Sequence, residues 1–396
     1  MHLFSQLNVL RNKVRSRNLR SAVRLRARRL SFLLRNPAVG RVQIHCPEYV
    51  EPSDDPDERR LVERIFTAYK EMCTSRLEVS ECYLPSSLWQ RQIESGYQPL
   101  LAAVECNDLD MFHHFLTNFG TWKTYIGVEN TTLVWENASG YLRRRYLSND
   151  VFLRQAQFWS WYYNNRKSLE LLSYPLHGNQ SGAYVDGVFM GVGSAGAEVN
   201  SALVAGLINE IKRPVIADLG AGYGKFDYFC LRDRESFSFV DFDLPETLCL
   251  ASYYLMKIWP EKKTLLFNED EFTPDSVNEY DLIFMPPWQI ERLGNESVDV
   301  FINKNSLGEM DQVAASNYIN HICRSTTYIY HMNHDNYPNL FSNNERGLLA
   351  SEYPIPSNQF DLLYRSLEPF HMLHRGGINM DMDIFCYLYV RCGKYL

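Results

Sequence analysis

The 396-residue chain is predicted to be an α/β protein, with a mostly parallel sheet covered by helices following a mainly helical N-terminal half. Three observations predict it. From Val215 onward, apolar runs of strand length alternate with helical patterns, as in a parallel sheet covered on both faces. The first of these runs ends in an acid followed by glycines at every second position. The chain is also long enough for two cores.

The predicted strands are Val215–Asp218, Phe237–Phe242, Leu282–Met285, Val298–Ile302 and Thr327–Tyr330, with Leu362–Tyr364 and Ile384–Val390 as an antiparallel pair closing the sheet. Tyr228–Leu231, Leu244–Trp259 and Asp311–Arg324 carry helical patterns between them. Upstream, helical spacing covers Arg60–Cys73, Leu88–Phe119, Tyr141–Leu172 and Glu198–Ile211, with a glycine-rich loop over Asp186–Gly196. The expected division is a basic arm over 1–46, a helical cap or acceptor-binding region over 47–200, and the α/β domain over 201–396.

Hydrophobic residues make up 45% and charged residues 22%, the balance of a folded globular chain. The nine cysteines include no CxxC pair, which reads as reduced thiols and a cytoplasmic protein. No apolar run is long enough to span a membrane. The net charge of −7 is unevenly spread. Residues 1–47 hold 11 Lys or Arg and no acid, leaving 29 basic against 47 acidic side chains in the other 349 residues. That acidic body lacks the phosphate-binding surface a nucleic-acid partner requires. The arm interleaves arginines with Val14, Leu19, Val23, Leu25, Leu30 and Leu33. It reads as a basic amphipathic helix for peripheral membrane contact, as a transit peptide, or as a solvated arm.

The chemistry concentrates at three strand ends. In Val215-Ile-Ala-Asp-Leu-Gly-Ala-Gly-Tyr-Gly-Lys-Phe226, Asp218 is followed by Gly220, Gly222 and Gly224. Glycines there let the backbone turn sharply and approach a ligand at the end of the first strand. The third glycine comes too early for the dinucleotide fingerprint. An acid two residues before the first glycine suits a ligand's ammonium rather than a pyrophosphate. Next, Asp241 and Asp243 follow about 20 residues later, where an acid accepts from ribose hydroxyls. Alternation leaves the two on one strand face, and Asp243, at the exit, is preferred. Third, Ile302-Asn-Lys-Asn-Ser-Leu-Gly-Glu-Met310 gathers small polar groups and one carboxylate. Asn303 is expected towards the cofactor and Asn305 towards the acceptor. Glu309 is a candidate general base, with His334 second; a helix-start carboxylate is the plainer reading of Glu309. His331, His334 and Asp335 are within metal-ligating chemistry, but a polar loop is preferred and no metal is expected.

The acid–glycine loop resembles the first motif of class I methyltransferases, which have a Rossmann-like sheet. Together with Asp243-Leu-Pro-Glu-Thr247 and Asn305-Ser-Leu-Gly-Glu-Met310, it resembles the sugar O-methyltransferase family over about residues 200–335. The resemblance implies S-adenosyl-L-methionine as cofactor and a saccharide or glycosylated small molecule as acceptor. Two rivals remain open. Met285-Pro-Pro-Trp288 resembles the Pro-Pro-aromatic motif of enzymes that methylate amines of nucleic acid or protein. Met285 lacks the oxygen that accepts from an amine, so Pro287 and Trp288 are expected to wall the adenine pocket instead. The other rival is a catalytically silent scaffold on the same fold.

Overall fold

The computed structural model describes residues 40–121, 141–342, 345–370 and 383–394, with three isolated positions before them. The basic arm therefore lies almost wholly outside the described residues. The first described elements are β1 (Val42–His45), α1 (Pro56–Ser75), α2 (Ser87–Gly96), α3 (Gln98–Glu105), α4 (Leu109–Asn118) and α5 (Tyr141–Tyr162). They are followed by β2 (Gly182–Val185), β3 (Val188–Met190) and α6 (Ser194–Leu207). The remaining elements alternate: β4 (Val215–Leu219), α7 (Lys225–Leu231), β5 (Ser238–Phe242), α8 (Pro245–Ile258), β6 (Thr264–Leu266), α9 (Ser276–Glu279) and β7 (Leu282–Met285). Then come β8 (Val298–Lys304), α10 (Gln312–Ser325), β9 (Thr326–His334), β10 (Phe360–Leu367) and β11 (Ile384–Arg391).

Eight strands form one Rossmann-like sheet in the order β10-β11-β9-β8-β4-β5-β7-β6. Strands β4 to β9 run parallel, and β11 enters antiparallel between β9 and β10. The strand order reverses at β4, whose neighbours are β5 and β8. A crevice opens where such a reversal occurs, at the carboxyl ends of the strands.

Side chains of β4 alternate between two apolar clusters. Ile216 joins the cluster that contains α7 and α8, while Val215, Ala217 and Leu219 join the one that contains α10. Parallel register sets Asp218 beside Asp241 on the first of these faces. The same face carries α1, α3 and α4, since Val62, Leu100 and Phe112 belong to one cluster with Ile216 and Leu250. The helices of the N-terminal half and the sheet thus share a core.

The N-terminal half also contains strands the sequence did not announce. β1, β2 and β3 form a three-stranded antiparallel sheet that packs with α5 around Phe152, Trp159 and Ala183. β1 lies within the span expected for the arm, so the folded chain starts before residue 46. The loop expected over Asp186–Gly196 divides into a hairpin turn at Asp186-Gly187, strand β3, and the start of α6. Gly193, with φ 80°, caps that helix, which begins at Ser194 rather than Glu198.

Candidate functional site

The glycine loop leaves β4 with every strand residue buried. Gly220, Gly222 and Gly224 have φ of 89°, 66° and 83°, a region that favours glycine. The Gly220 N–H donates to Phe242 O at 2.9 Å, and a Cβ there would meet Ser306 Cβ at 2.5 Å. The Gly222 N–H donates to Asp243 Oδ2 at 3.0 Å, and the Leu244 N–H donates to Asp243 Oδ1 at 2.7 Å. Asp243 therefore clips the loop to the exit of β5 with both oxygens fixed. Burial pushes its carboxyl up to about 6, against the hydrogen bonds from Thr247, Leu244 and Gly222.

A cavity of about 530 Å³ opens above this loop, lined by Asp218, Gly220, Gly222, Asp243 and Pro287 on one side. That volume is of ligand size. Asp218 is 1% exposed and its Oδ1 has no hydrogen-bond partner among the described residues. Desolvation first, then the nearby charges of Asp227, Asp241 and Asp243, raise its pKa well above the carboxylate range. Asp227, on α7, is raised to about 7, chiefly by burial. Asp227 interacts with the Asp218 carboxyl, and the Asp218 oxygen left without a partner among the described residues, at a cavity wall, is a place for a ligand's cation or hydrogen-bond donor.

The opposite wall comes from the exit of β8, where Lys304, Asn305, Ser306 and Glu309 line the cavity. Asn305 has φ 65°, and its Oδ1 is buried without a partner among the described residues. Asparagine is one of the few residues that adopts this left-handed turn readily. Its own N–H donates to Met332 O at 2.7 Å, which fixes the turn. Glu309 ends a short 3-10 turn, Leu307–Glu309, and its Oε2 accepts from the Trp89 indole Nε1 at 2.7 Å. Burial pushes the Glu309 carboxyl up to about 7; the Trp89 hydrogen bond opposes this and the charge of Asp243 adds to it. A carboxyl near neutrality, at hydrogen-bonding reach of a ligand, can take a proton from a hydroxyl.

No family model matches the chain, and no curated protein matches it. Solved structures that align with part of the chain include mitomycin 7-O-methyltransferase, at 10% identity and TM-score 0.32 over 50% of this chain and 55% of that one. Magnesium protoporphyrin IX methyltransferase of Synechocystis with bound S-adenosylhomocysteine aligns at 12% identity and TM-score 0.34, over 50% of this chain and 84% of its own. The [4+2]-cyclase SpnF aligns at 12% identity and TM-score 0.34, over 50% and 80%. The fold of this chain rests on its own strand order, and its chemistry on the site.

Several residues singled out in the sequence stand elsewhere. Asp241 is fully buried but does not line the cavity, unlike Asp243. Gly224 caps α7 and leaves room for Leu255, which an added Cβ would approach to 2.9 Å. Asn303 is a tie between strands: its Nδ2 donates to Leu219 O at 2.8 Å, and its Oδ1 accepts from Asn333 Nδ2 at 2.9 Å. The Trp288 ring meets Phe267 edge-on at 6.3 Å, off the cavity that Pro287 lines. His334 is also off the cavity, with Nδ1 2.5 Å from Asp383 Oδ2. The same carboxylate accepts from the Asn336 and Tyr337 N–H groups, so this pair orders a loop. His331 stacks on Tyr387 at 4.8 Å, and burial pushes its pKa down to about 3. Asp335 is bound to Arg365, Tyr387 and Ser351, so these three residues do not converge on one point. Among the described residues no group of His, Cys, Asp or Glu is arranged to hold a metal ion.

The sequence reading missed the third wall. Cys82, Leu84, Ser86 and Trp89, from the N-terminal half, line the cavity together with Glu309 and Tyr318, and Trp89 touches Glu309 directly. Nothing in their local pattern marks a site. They reach it because α1 packs on α8 and the segment before α2 packs on α10, where the Tyr83 ring meets Tyr318 edge-on at 5.6 Å.

Proposed function

We propose that this chain transfers the methyl group of S-adenosyl-L-methionine to a hydroxyl of a saccharide or glycosylated small molecule. The observation that carries this reading is that one cavity joins the acid–glycine loop to Glu309 and Asn305. The residues fit the cofactor. The unpartnered Asp218 Oδ1 suits the methionine ammonium, the Gly220–Gly222 backbone leaves room for the methionine moiety, and Asp243 suits the ribose hydroxyls. Pro287, which lines the same cavity, would wall the adenine. When bound, the cofactor supplies a methyl group activated by its sulfonium.

The chain's own residues then align and deprotonate the acceptor. Glu309 takes the hydroxyl proton, and the vacant Asn305 Oδ1 accepts from a second hydroxyl of the same molecule. A polyol satisfies both acceptors at once, whereas an isolated hydroxyl leaves one unpaired. Amine methylation is disfavoured because Met285 is buried and carries no oxygen. The sugar assignment rests on this donor requirement and on the sequence resemblance.

The test is methyl transfer from methyl-labelled cofactor to a panel of free and glycosylated sugars, set against their deoxy analogues. Label should enter a polyol acceptor. Glu309→Gln should cut turnover at least about 100-fold while leaving cofactor affinity nearly unchanged. Near-native turnover in that variant would remove Glu309 as the base, and label found only on amines would overturn the O-methyl reading.

A further inference from the structure

The N-terminal half reaches the proposed base. Trp89 lies in the first turn of α2, where its N–H faces Ser86 Oγ at 3.5 Å. Its ring packs against the main apolar cluster, while its Nε1 donates to Glu309 Oε2 across 220 residues of chain. Glu309 Oε1 has no hydrogen-bond partner among the described residues and belongs to a side chain that lines the cavity. The two carboxylate oxygens are therefore inequivalent: one is occupied by a donor fixed in the core, the other is open to the ligand space.

We infer that Trp89 is a positioning residue for Glu309, holding Oε2 so that Oε1 takes the proton of the acceptor hydroxyl. This rests on the proposed methyl transfer. A carboxylate on a flexible stem adopts several rotamers, and a base misplaced by an ångström loses much of its effect. The indole removes that freedom without supplying a proton, since Trp donates but does not titrate. It also assembles the acceptor site from two distant stretches of chain, so the helical half completes the centre.

A hydrogen bond to a carboxylate is stronger than one to a neutral carboxyl, so Trp89 favours the ionised form of Glu309. Other titratable and charged groups share its surroundings. Asp243 comes from the exit of β5, Lys304 from β8, and Lys225 from α7. Asp311 and Tyr318 come from the start and body of α10, and Cys82 and Tyr83 from the segment before α2. His334 lies beyond Gly308. Of these, Asp243 is the charge that raises the Glu309 carboxyl, and Trp89 is the group that lowers it.

Two measurements on the full chain test the inference. The first needs no acceptor. In a ¹⁵N-indole spectrum, the resonance lost in Trp89→Phe should move with pH about a midpoint near 7, and should stay still in Glu309→Gln. A wild-type indole resonance that ignores pH would overturn the contact. The second follows methyl transfer. Trp89→Phe keeps an apolar ring and removes the donor. It should lower kcat about tenfold, move the acid limb of the pH–rate profile to higher pH, and leave cofactor affinity unchanged. An inactive Glu309→Gln beside a Trp89→Phe with native kcat and profile would overturn the positioning role alone. An active Glu309→Gln would instead overturn the base assignment on which the role rests.

Discussion

Asp218, Asp227, Asp241 and Asp243 are enclosed where β4, β5 and α7 meet, and burial raises all four. Glu309 is raised as well. A carboxyl whose folded pKa exceeds its unfolded value gives stability that is present at low pH and lost as pH climbs through the folded pKa. For Asp243 at about 6 and for Asp227 and Glu309 at about 7, that loss falls between mildly acid and neutral pH. Glu58 has the opposite sign. Hydrogen bonding from His113 first, with help from Lys257 and Tyr253, holds it at about 2, so its contribution disappears only in strong acid. Thermal midpoints of the cofactor-free chain should therefore be higher near about pH 5 than near about pH 8, and Asp227→Asn should flatten the slope. A midpoint that rises steadily from about pH 5 to about pH 8 would contradict the enclosed-carboxyl account. The two acids of β5 separate by a different measurement. Asp243→Ala should weaken cofactor binding by about 1–3 kcal/mol, the range for hydrogen bonds to a charged group, and Asp241→Ala should weaken it less. If only Asp241→Ala weakens binding, the ribose assignment is reversed. Alternation in the sequence left both acids open. The structure distinguishes their positions because the cavity lies at the strand exit, beyond Asp241.

Among the elements, α8 carries the coupling between halves. Its first turn holds Glu246, 1% exposed, in a two-pronged pair with Arg76 at the end of α1, at 2.9 and 2.7 Å. Tyr69 Oη donates to the same carboxylate at 3.3 Å. Arg76→Ala strands a buried carboxylate and should cost about 3 kcal/mol. Denaturant unfolding checks this, and a loss under about 1 kcal/mol would class the pair with exposed ones. The Asp-Leu-Pro-Glu-Thr element thus has a physical reading in which Asp243 faces the cavity and Glu246 anchors α1. Strand visibility in the sequence followed length and burial. β4, β5 and β7 are buried throughout, β8, β9 and β11 are buried at most positions, and β10 is long though largely exposed; the positions of all seven were legible to within a few residues. β1, β2, β3 and β6 are three or four residues each and are held by pairing rather than by local preference; β7 is as short, but its four residues are apolar and buried throughout, which made it legible.

At the scale of the whole molecule, the N-terminal helices and the sheet bury one shared cluster, so the halves should unfold together. The arm stands apart from this core in composition. Removing residues 1–39 spares β1 and the pairing of Arg41 with Asp186. That truncation should leave cofactor affinity intact and reduce sedimentation with anionic vesicles at low salt. Equal sedimentation of both forms would dispose of the membrane proposal. No helix among the described residues is long and apolar enough to cross a membrane. The sequence made the glycine loop, Asp243 and the β8 exit legible because each is a local pattern at a strand end. It could not show Trp89 or Ser86 at the cavity, since their place depends on how α1 and α2 pack on distant elements. It overvalued Asn303 and His334, whose polar character serves ties between strands and loops.

The central claim is that the acid–glycine loop holds S-adenosylmethionine, and calorimetric titration of the intact chain tests it most directly. The wild-type protein should bind the cofactor and S-adenosylhomocysteine in the micromolar range, about −8 kcal/mol. Gly222→Val places a branched side chain at φ 66° on the cavity wall and should abolish both affinities while the thermal transition stays cooperative. Absence of binding by the wild type, or unchanged binding by a folded Gly222→Val variant, would contradict the claim.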